Sequence, residues 1–307
     1  MTLESNSDVS TEALLAVLEV MVVTSIEKQN IPILMYHSIS TPASSGFQAC
    51  TVSQEVFDEH LSYLKQRHYT SVTVTQLAKA MAKGGSGLPP RPVILTFDDG
   101  YADFYTVALP ALQRHGFTAT LYVTTAFIGS TSRWLRYVNE RSRPMLTTSQ
   151  LTEINACGIE CGAHSHTHPP LDMLPPRIAR DEIMHSKELL EDCLGHQVLS
   201  FAYPYGYHST RLQQIVRTCG FTSACAIKRA VSSLHDNPYA LARLAIIPDT
   251  SVDELDTALV TGRGPLVASP IKRTRTRVRQ FLRSAFRTLW PGWSAIDMNA
   301  RMEMRQM

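Results

Sequence analysis

The sequence predicts an α/β fold, with a mainly parallel sheet and helices outside it, open or closed into a barrel. Short apolar runs alternate with longer helical patterns from residue 31 onward, which is the signature of strand–helix units. Acids and histidines follow directly on the ends of the apolar runs, where parallel α/β folds gather their functional groups. The chain has 307 residues, 44% hydrophobic and 18% charged, enough to bury a large core and unlike a disordered protein.

Taken in order, IPILMY (31–36) reads as a buried strand, and 53–66 as a helix with Phe57, Leu61 and Leu64 on one face. The loop KGGSGLPPRP (83–92) leads into the strand PVILTF (92–97), which ends at DDG. Residues 102–115 read as a helix and TATLYVTT (118–125) as a strand. A helix over 148–158 closes at Gly158, and one over 176–194 closes at Gly195. LSFAYPYG (199–206) is a strand followed by a turn. Residues 210–219 form a helix closed by Gly220, and TSACAI (222–227) a strand. These boundaries divide the chain into an N-terminal extension (1–30), a central domain (31–265) and a tail (266–307).

Charge is unevenly spread. Residues 271–307 hold nine Lys/Arg against two acids, while the other 270 residues are net −5. In 276–290, Val278, Phe281, Leu282, Ala285, Phe286 and Leu289 follow helical spacing, with Arg279, Arg283 and Arg287 on another face. That is the pattern of a basic amphipathic helix for an anionic membrane surface, with 271–293 as the contact; it equally suits a terminal helix packed on the domain. No module accompanies the basic tail that would point to nucleic acid. The N-terminal stretch has no Lys or Arg before Lys28, so no secretory signal is recognised, and the apolar run 13–23 is too short to span a bilayer. It reads as a helix capped by Ser10 or Thr11. Six cysteines without a CxxC pair read as reduced thiols. The expectation is a cytoplasmic protein, peripheral at the inner membrane face.

Four short motifs carry chemistry. TFDDG (96–100) sets Asp98 and Asp99 at a strand end, where one carboxylate can bind a cation while the other takes a proton; it is also a plain Asp-Gly turn. In ECGAHSHTHPPL (160–171), His164 and His168 have a spacing suited to one metal, and His166 is not excluded by spacing alone. FAYPYG (201–206) is a rigid turn able to aim a backbone N–H at an oxyanion, or simply a packing turn. His37 ends the first strand, on the same rim if the strands run parallel.

TFDDGY, YTVALPALQRHGFTATLYV, GIECGAHSHTHPPL and FAYPYG, in this order, resemble the NodB-type polysaccharide deacetylases, carbohydrate esterase family 4, over roughly 31–250. The resemblance implies a distorted, incomplete (β/α) barrel flanked by N- and C-terminal helical extensions. It also implies metal-dependent removal of acetyl groups from N-acetylated, less commonly O-acetylated, sugars of a glycan. By position it makes Asp98 the catalytic base, and Asp99, His164 and His168 the ligands of a divalent metal, zinc first among them. Tyr205 takes the place that supplies the oxyanion N–H.

The chain departs from the family pattern at two points. Ala202 stands where an arginine usually opens the third motif, and LARLAIIPD (241–249) lacks the usual Leu-x-His. ILMYHSIS, however, resembles the first strand of the poly-N-acetylglucosamine deacetylase branch, which makes His37 the general acid. Arg243 is a candidate substitute for the missing arginine, and Tyr203 and Tyr101 are candidate substrate or support residues. Two rival readings remain on the same fold: a non-catalytic carbohydrate-binding protein, and an amidase acting on a non-sugar amide.

Overall fold

The computed structural model describes residues 30–40, 44–227 and 230–262. The extension over 1–29 and the basic pattern within 266–307, with the membrane contact expected at 271–293, lie outside the described residues. No described helix is long and apolar enough to cross a membrane.

The elements run β1 (Ile33–Tyr36), β2 (Ser38–Ile39), β3 (Thr51–Val52), α1 (Gln54–Gln66), β4 (Thr70–Ser71), α2 (Val74–Met81), β5 (Pro92–Phe97) and α3 (Leu109–His115). They continue with β6 (Thr120–Val123), α4 (Thr148–Ala156), β7 (Glu160–Ala163), α5 (Pro176–Leu194), β8 (Ser200–Ala202), α6 (Thr210–Thr218), β9 (Ser223–Cys225), β10 (Leu244–Ala245) and α7 (Val252–Thr261). The main sheet is parallel throughout, in the order β10-β1-β5-β6-β7-β8-β9, with β4 beside the start of β5. It curls, and a parallel bridge between Cys225 and Leu241 links one edge toward the other. This is the incomplete barrel that the strand–helix alternation and the family resemblance imply.

Side-chain parity along the strands decides what reaches the barrel interior, because successive residues point to opposite faces. Leu34 and Tyr36 on β1, Leu95 and Phe97 on β5, Leu121 and Val123 on β6, and Phe201 on β8 pack outward with Phe57, Leu61 and Leu64 of α1 and with the other helices. Ile33, Ile94, Tyr122, Ala202 and Cys225 have the opposite parity and form a smaller interior cluster. Continued past the strand ends, that interior parity arrives at His37, Asp98 and His164, and on the approach to β10 at Arg243. A single register choice therefore places four chemically capable side chains on one rim.

Three local details differ from the sequence expectation. The helix expected over 102–115 is a π-helical turn at Phe104–Ala108 followed by α3. Pro110 lacks the N–H that a continuous α-helix would donate to the Thr106 carbonyl, and the wider turn accommodates the loss. Helices α2 and α7 were not anticipated, although both open with capping boxes, Thr73 with Gln76 and Ser251 with Glu254. Helices α1, α5 and α6 match the pattern to within a residue or two, and all six cysteines are free.

Candidate active site

β5 hands its last residues to a turn in which Asp99 and Gly100 are both left-handed, with φ of 78° and 85°. Asp tolerates that conformation better than most side chains. The turn is held by Thr124 N–H donating to the Asp99 carbonyl and Leu146 N–H donating to the Gly100 carbonyl. Asp98 keeps the interior parity of the strand, and Asp99 is swung toward the loop that follows β7. In that loop Ser165 and His168 are also left-handed, at 63° and 62°. Glu182 of α5 fixes the loop, accepting from the backbone N–H of His166 and Thr167 and from the Thr167 hydroxyl at 3.0, 2.8 and 2.6 Å. Left-handed non-glycine residues cost energy, and their concentration at one rim marks a place where geometry is held for use.

Asp99, His164 and His168 are all buried, and one donor atom from each lies within 4.8 Å of the others. Asp99 Oδ1 is 3.4 Å from His164 Nε2 and 3.2 Å from His168 Nε2, yet it is buried and accepts no hydrogen bond. The three atoms face a common point and are not bonded to one another. His164 Nδ1–H donates to the Ala202 carbonyl at 2.8 Å, which leaves the Nε2 lone pair facing that point. The Tyr101 hydroxyl donates to the other Asp99 oxygen at 2.7 Å. One carboxylate and two imidazoles, anchored from behind, fit a divalent first-row metal ion. Burial alone would raise Asp99; the charges of His168 and His164 outweigh it and hold the carboxyl well below the usual range.

Asp98 has a different partner. Arg243, only 1% exposed, clamps it with two bonds, Nη1 to Oδ1 at 2.6 Å and Nη2 to Oδ2 at 2.8 Å. The same guanidinium donates to Thr96 Oγ1 and to the Ala226 carbonyl, and lies 5.6 Å over the Tyr122 ring. Burial pushes Asp98 up, but Arg243 and then His164 hold it below the ordinary carboxylate value. Asp98 Oδ2 is 3.9 Å from His164 Nε2, so an ionised carboxylate sits beside the triad without belonging to it. His37 shares the rim. Burial lowers its imidazole, while the charges of Asp98 and Asp99 pull the other way.

A cavity of about 450 Å³ opens in front of the triad. Trp134 is 5.4 Å from His168, ring to ring, and stacks on Tyr101 at 6.2 Å; Phe47 and Phe127 continue the wall. Tyr205, left-handed at φ 60°, closes the other side with its ring 4.8 Å from His168. Gly206 lets the chain turn there, since a Cβ on it would meet Ile227 Cβ at 2.5 Å. Cys50 also lines the cavity, but burial pushes its thiol up to about 12, which leaves it no nucleophile.

The geometry thus brings Asp98, Asp99, His164, His168, His37, Tyr205, Tyr101 and Arg243 together. It leaves out two residues that the sequence brought into consideration. Tyr203 has outward parity, is fully buried, donates to the Tyr239 carbonyl and does not line the cavity, so it supports the turn from behind. His166 faces Thr125, 3.0 Å away, and the ring of His185. Trp134 and Phe47 were not anticipated. They lie far from the motifs in sequence, and no local periodicity marks them.

Residues 85–224 match the family model described as Polysaccharide deacetylase. YxkH of Bacillus subtilis (strain 168), whose name places it among polysaccharide deacetylases, is 28% identical over 221 residues, 72% of this chain and 73% of that one. The poly-beta-1,6-N-acetyl-D-glucosamine N-deacetylase of Staphylococcus aureus (strain MSSA476) is 22% identical over 216 residues, 67% of this chain and 71% of that one. Among solved structures, the Streptococcus pyogenes deacetylase PplD in complex with acetate superposes with a TM-score of 0.65 at 26% identity, covering 77% of this chain and 99% of that one. With the curled parallel sheet and the rim of acids and histidines already described, the chain carries a polysaccharide deacetylase domain, that of a hydrolase acting on carbon–nitrogen bonds.

Proposed function

We propose that this enzyme removes acetyl groups from N-acetylated sugars of a poly-N-acetylglucosamine type of glycan, with a divalent metal, zinc, held by Asp99, His164 and His168. The observation that carries the reading is the pairing of two differently partnered carboxylates. Asp99 faces two imidazoles, while Asp98 is clamped by Arg243 beside them. A site that only bound sugar would have no use for an ionised base next to a ligand triad. The similarity to the S. aureus enzyme supports the substrate class.

When bound, the metal supplies Lewis-acid chemistry, lowering the pKa of water and polarising a carbonyl. The chain's own residues do the rest. Asp98 takes the proton of the attacking water, and Arg243 keeps the carboxylate ionised and aimed. The Tyr205 backbone N–H donates to the developing oxyanion. His37 hands a proton to the departing amine nitrogen, which leaves poorly as an anion. Tyr101 keeps its proton, because burial and the Asp99 charge raise it well above 10, and so it stays a donor to Asp99. The aromatic wall of Trp134 and Phe47 offers flat apolar surface to a sugar ring.

The test is acetate release from N-acetylglucosamine oligomers. Asp98→Asn keeps its metal and loses at least about 10² in turnover. A fully active Asp98→Asn enzyme would remove the base assignment, and metal-loaded wild type without acetate release on any acetylated glycan would remove the function.

A further inference from the structure

We propose that Arg133, Arg136 and Arg141 form an anion-binding subsite beside the catalytic cavity, so that the substrate is an acetylated glycan carrying an oxyanion, phosphate or carboxylate, near the sugar that is deacetylated. This rests on the deacetylase reading and narrows its substrate class.

A second cavity of about 380 Å³ is lined by Thr131, Arg133, Arg136, Arg141 and Ser142, three guanidinium groups and two hydroxyls with no acid among them. Arg133 and Arg136 also line the catalytic cavity, so the two spaces share a wall. On this proposal, a chain of sugars seated at the triad passes the arginines as it leaves through that shared wall. All three are exposed, and among the described residues Arg133 and Arg141 take part in no ion pair.

The neighbouring Arg143 behaves differently. It pairs with Asp103 at 3.4 Å and Glu140 at 3.1 Å and packs over Phe47. Glu140 is the only acid in 131–143, and it is taken up by Arg143 and by the Ser44 N–H, so that segment holds no second carboxylate for Arg133 or Arg141. Like charges so placed repel one another, and the first 270 residues are net negative, so general composition does not explain the cluster. The loop is tied down by bridges from Thr131 to Pro144 and from Tyr101 to Met145. Guanidinium forks on an anchored loop suit phosphate or carboxylate oxygens, with Thr131 and Ser142 as additional donors.

The experiment compares three probes of equal length: an N-acetylglucosamine trimer, the same trimer with a terminal phosphate, and one carrying a glucuronate. Acetate release and calorimetric binding are measured for wild type and for the Arg133→Gln/Arg141→Gln double variant, with a thermal unfolding check. Wild type should favour at least one anionic probe over the neutral one by about tenfold in kcat/KM, a preference that weakens with added salt. In the double variant the ratio should fall to about one. The better anionic probe tells phosphate from carboxylate. Equal kcat/KM for all three probes in wild type, or a preference unchanged in the double variant, overturns the subsite. If no probe releases acetate, the deacetylase reading fails on its own account and binding decides. Tighter binding of an anionic probe, lost in the double variant, upholds the subsite; equal binding of all three overturns it.

Discussion

Replacing Arg243 by methionine isolates what the clamp does. The side chain is 1% exposed and makes two charge-assisted bonds to Asp98, at 2.6 and 2.8 Å. Without it, Asp98 becomes a buried carboxylate with no partner of opposite permanent charge. Breaking a buried pair from one side costs roughly 3–5 kcal/mol, a large share of the roughly 5–15 kcal/mol that holds a domain together. The loss depends on pH, and its sign follows from Asp98. In wild type the carboxyl titrates below its unfolded value of about 3.9, so the stability it contributes is present above that pH and lost as the pH falls through the folded pKa. The gap between wild type and Arg243→Met in urea unfolding should therefore be widest above about pH 5 and narrow toward about pH 3. Turnover should fall by at least about 10², because the base is no longer held ionised or aimed. Arg243→Lys should recover part of the stability but little of the turnover, since one ammonium cannot reproduce the fork. A methionine variant with wild-type urea midpoint and wild-type acetate release would refute the assigned role.

Two further outcomes follow from the same geometry. Glu182→Ala removes three hydrogen bonds that pin the histidine loop, and should weaken metal affinity by about tenfold as read by chelator competition; Glu182→Gln should restore part of it. Asp103 is pushed up to about 6 by burial, against the pull of Ser38 and Arg143, so its charged form is disfavoured by folding. Relative to Asp103→Asn, wild type should gain roughly 1–3 kcal/mol as the pH falls from about 6.5 to 4, measured by denaturant unfolding.

Much of the fold was legible because periodicity and punctuation agree. Phe57, Leu61 and Leu64 share a helix face and are buried there, and α5 ends at Gly195 where the helical pattern stops. The site was legible where it follows strand ends in tight motifs, as at Asp98, Asp99, His164 and His168. Other features depend on convergence between distant segments. Trp134 reaches His168 across a long loop, and Arg243, just before the edge strand β10 and distant in sequence, reaches Asp98 across β1. Spacing alone left three histidines in contention. The left-handed turns at Ser165 and His168 turn the 166 ring toward Thr125 and away from the triad, a result that an extended-strand reading cannot produce. Helices α2 and α7 were missed although the pairs Thr73/Gln76 and Ser251/Glu254 announce them, so caps carry information that apolar spacing in short helices does not.

Metal content per chain, measured on purified wild type and on Asp99→Ala, His164→Ala, His166→Ala and Asp98→Asn after loading with zinc and desalting, bears most directly on the central claim. The account predicts one ion in wild type, His166→Ala and Asp98→Asn, and none in Asp99→Ala and His164→Ala. An ion retained by Asp99→Ala, or lost from His166→Ala, would contradict it.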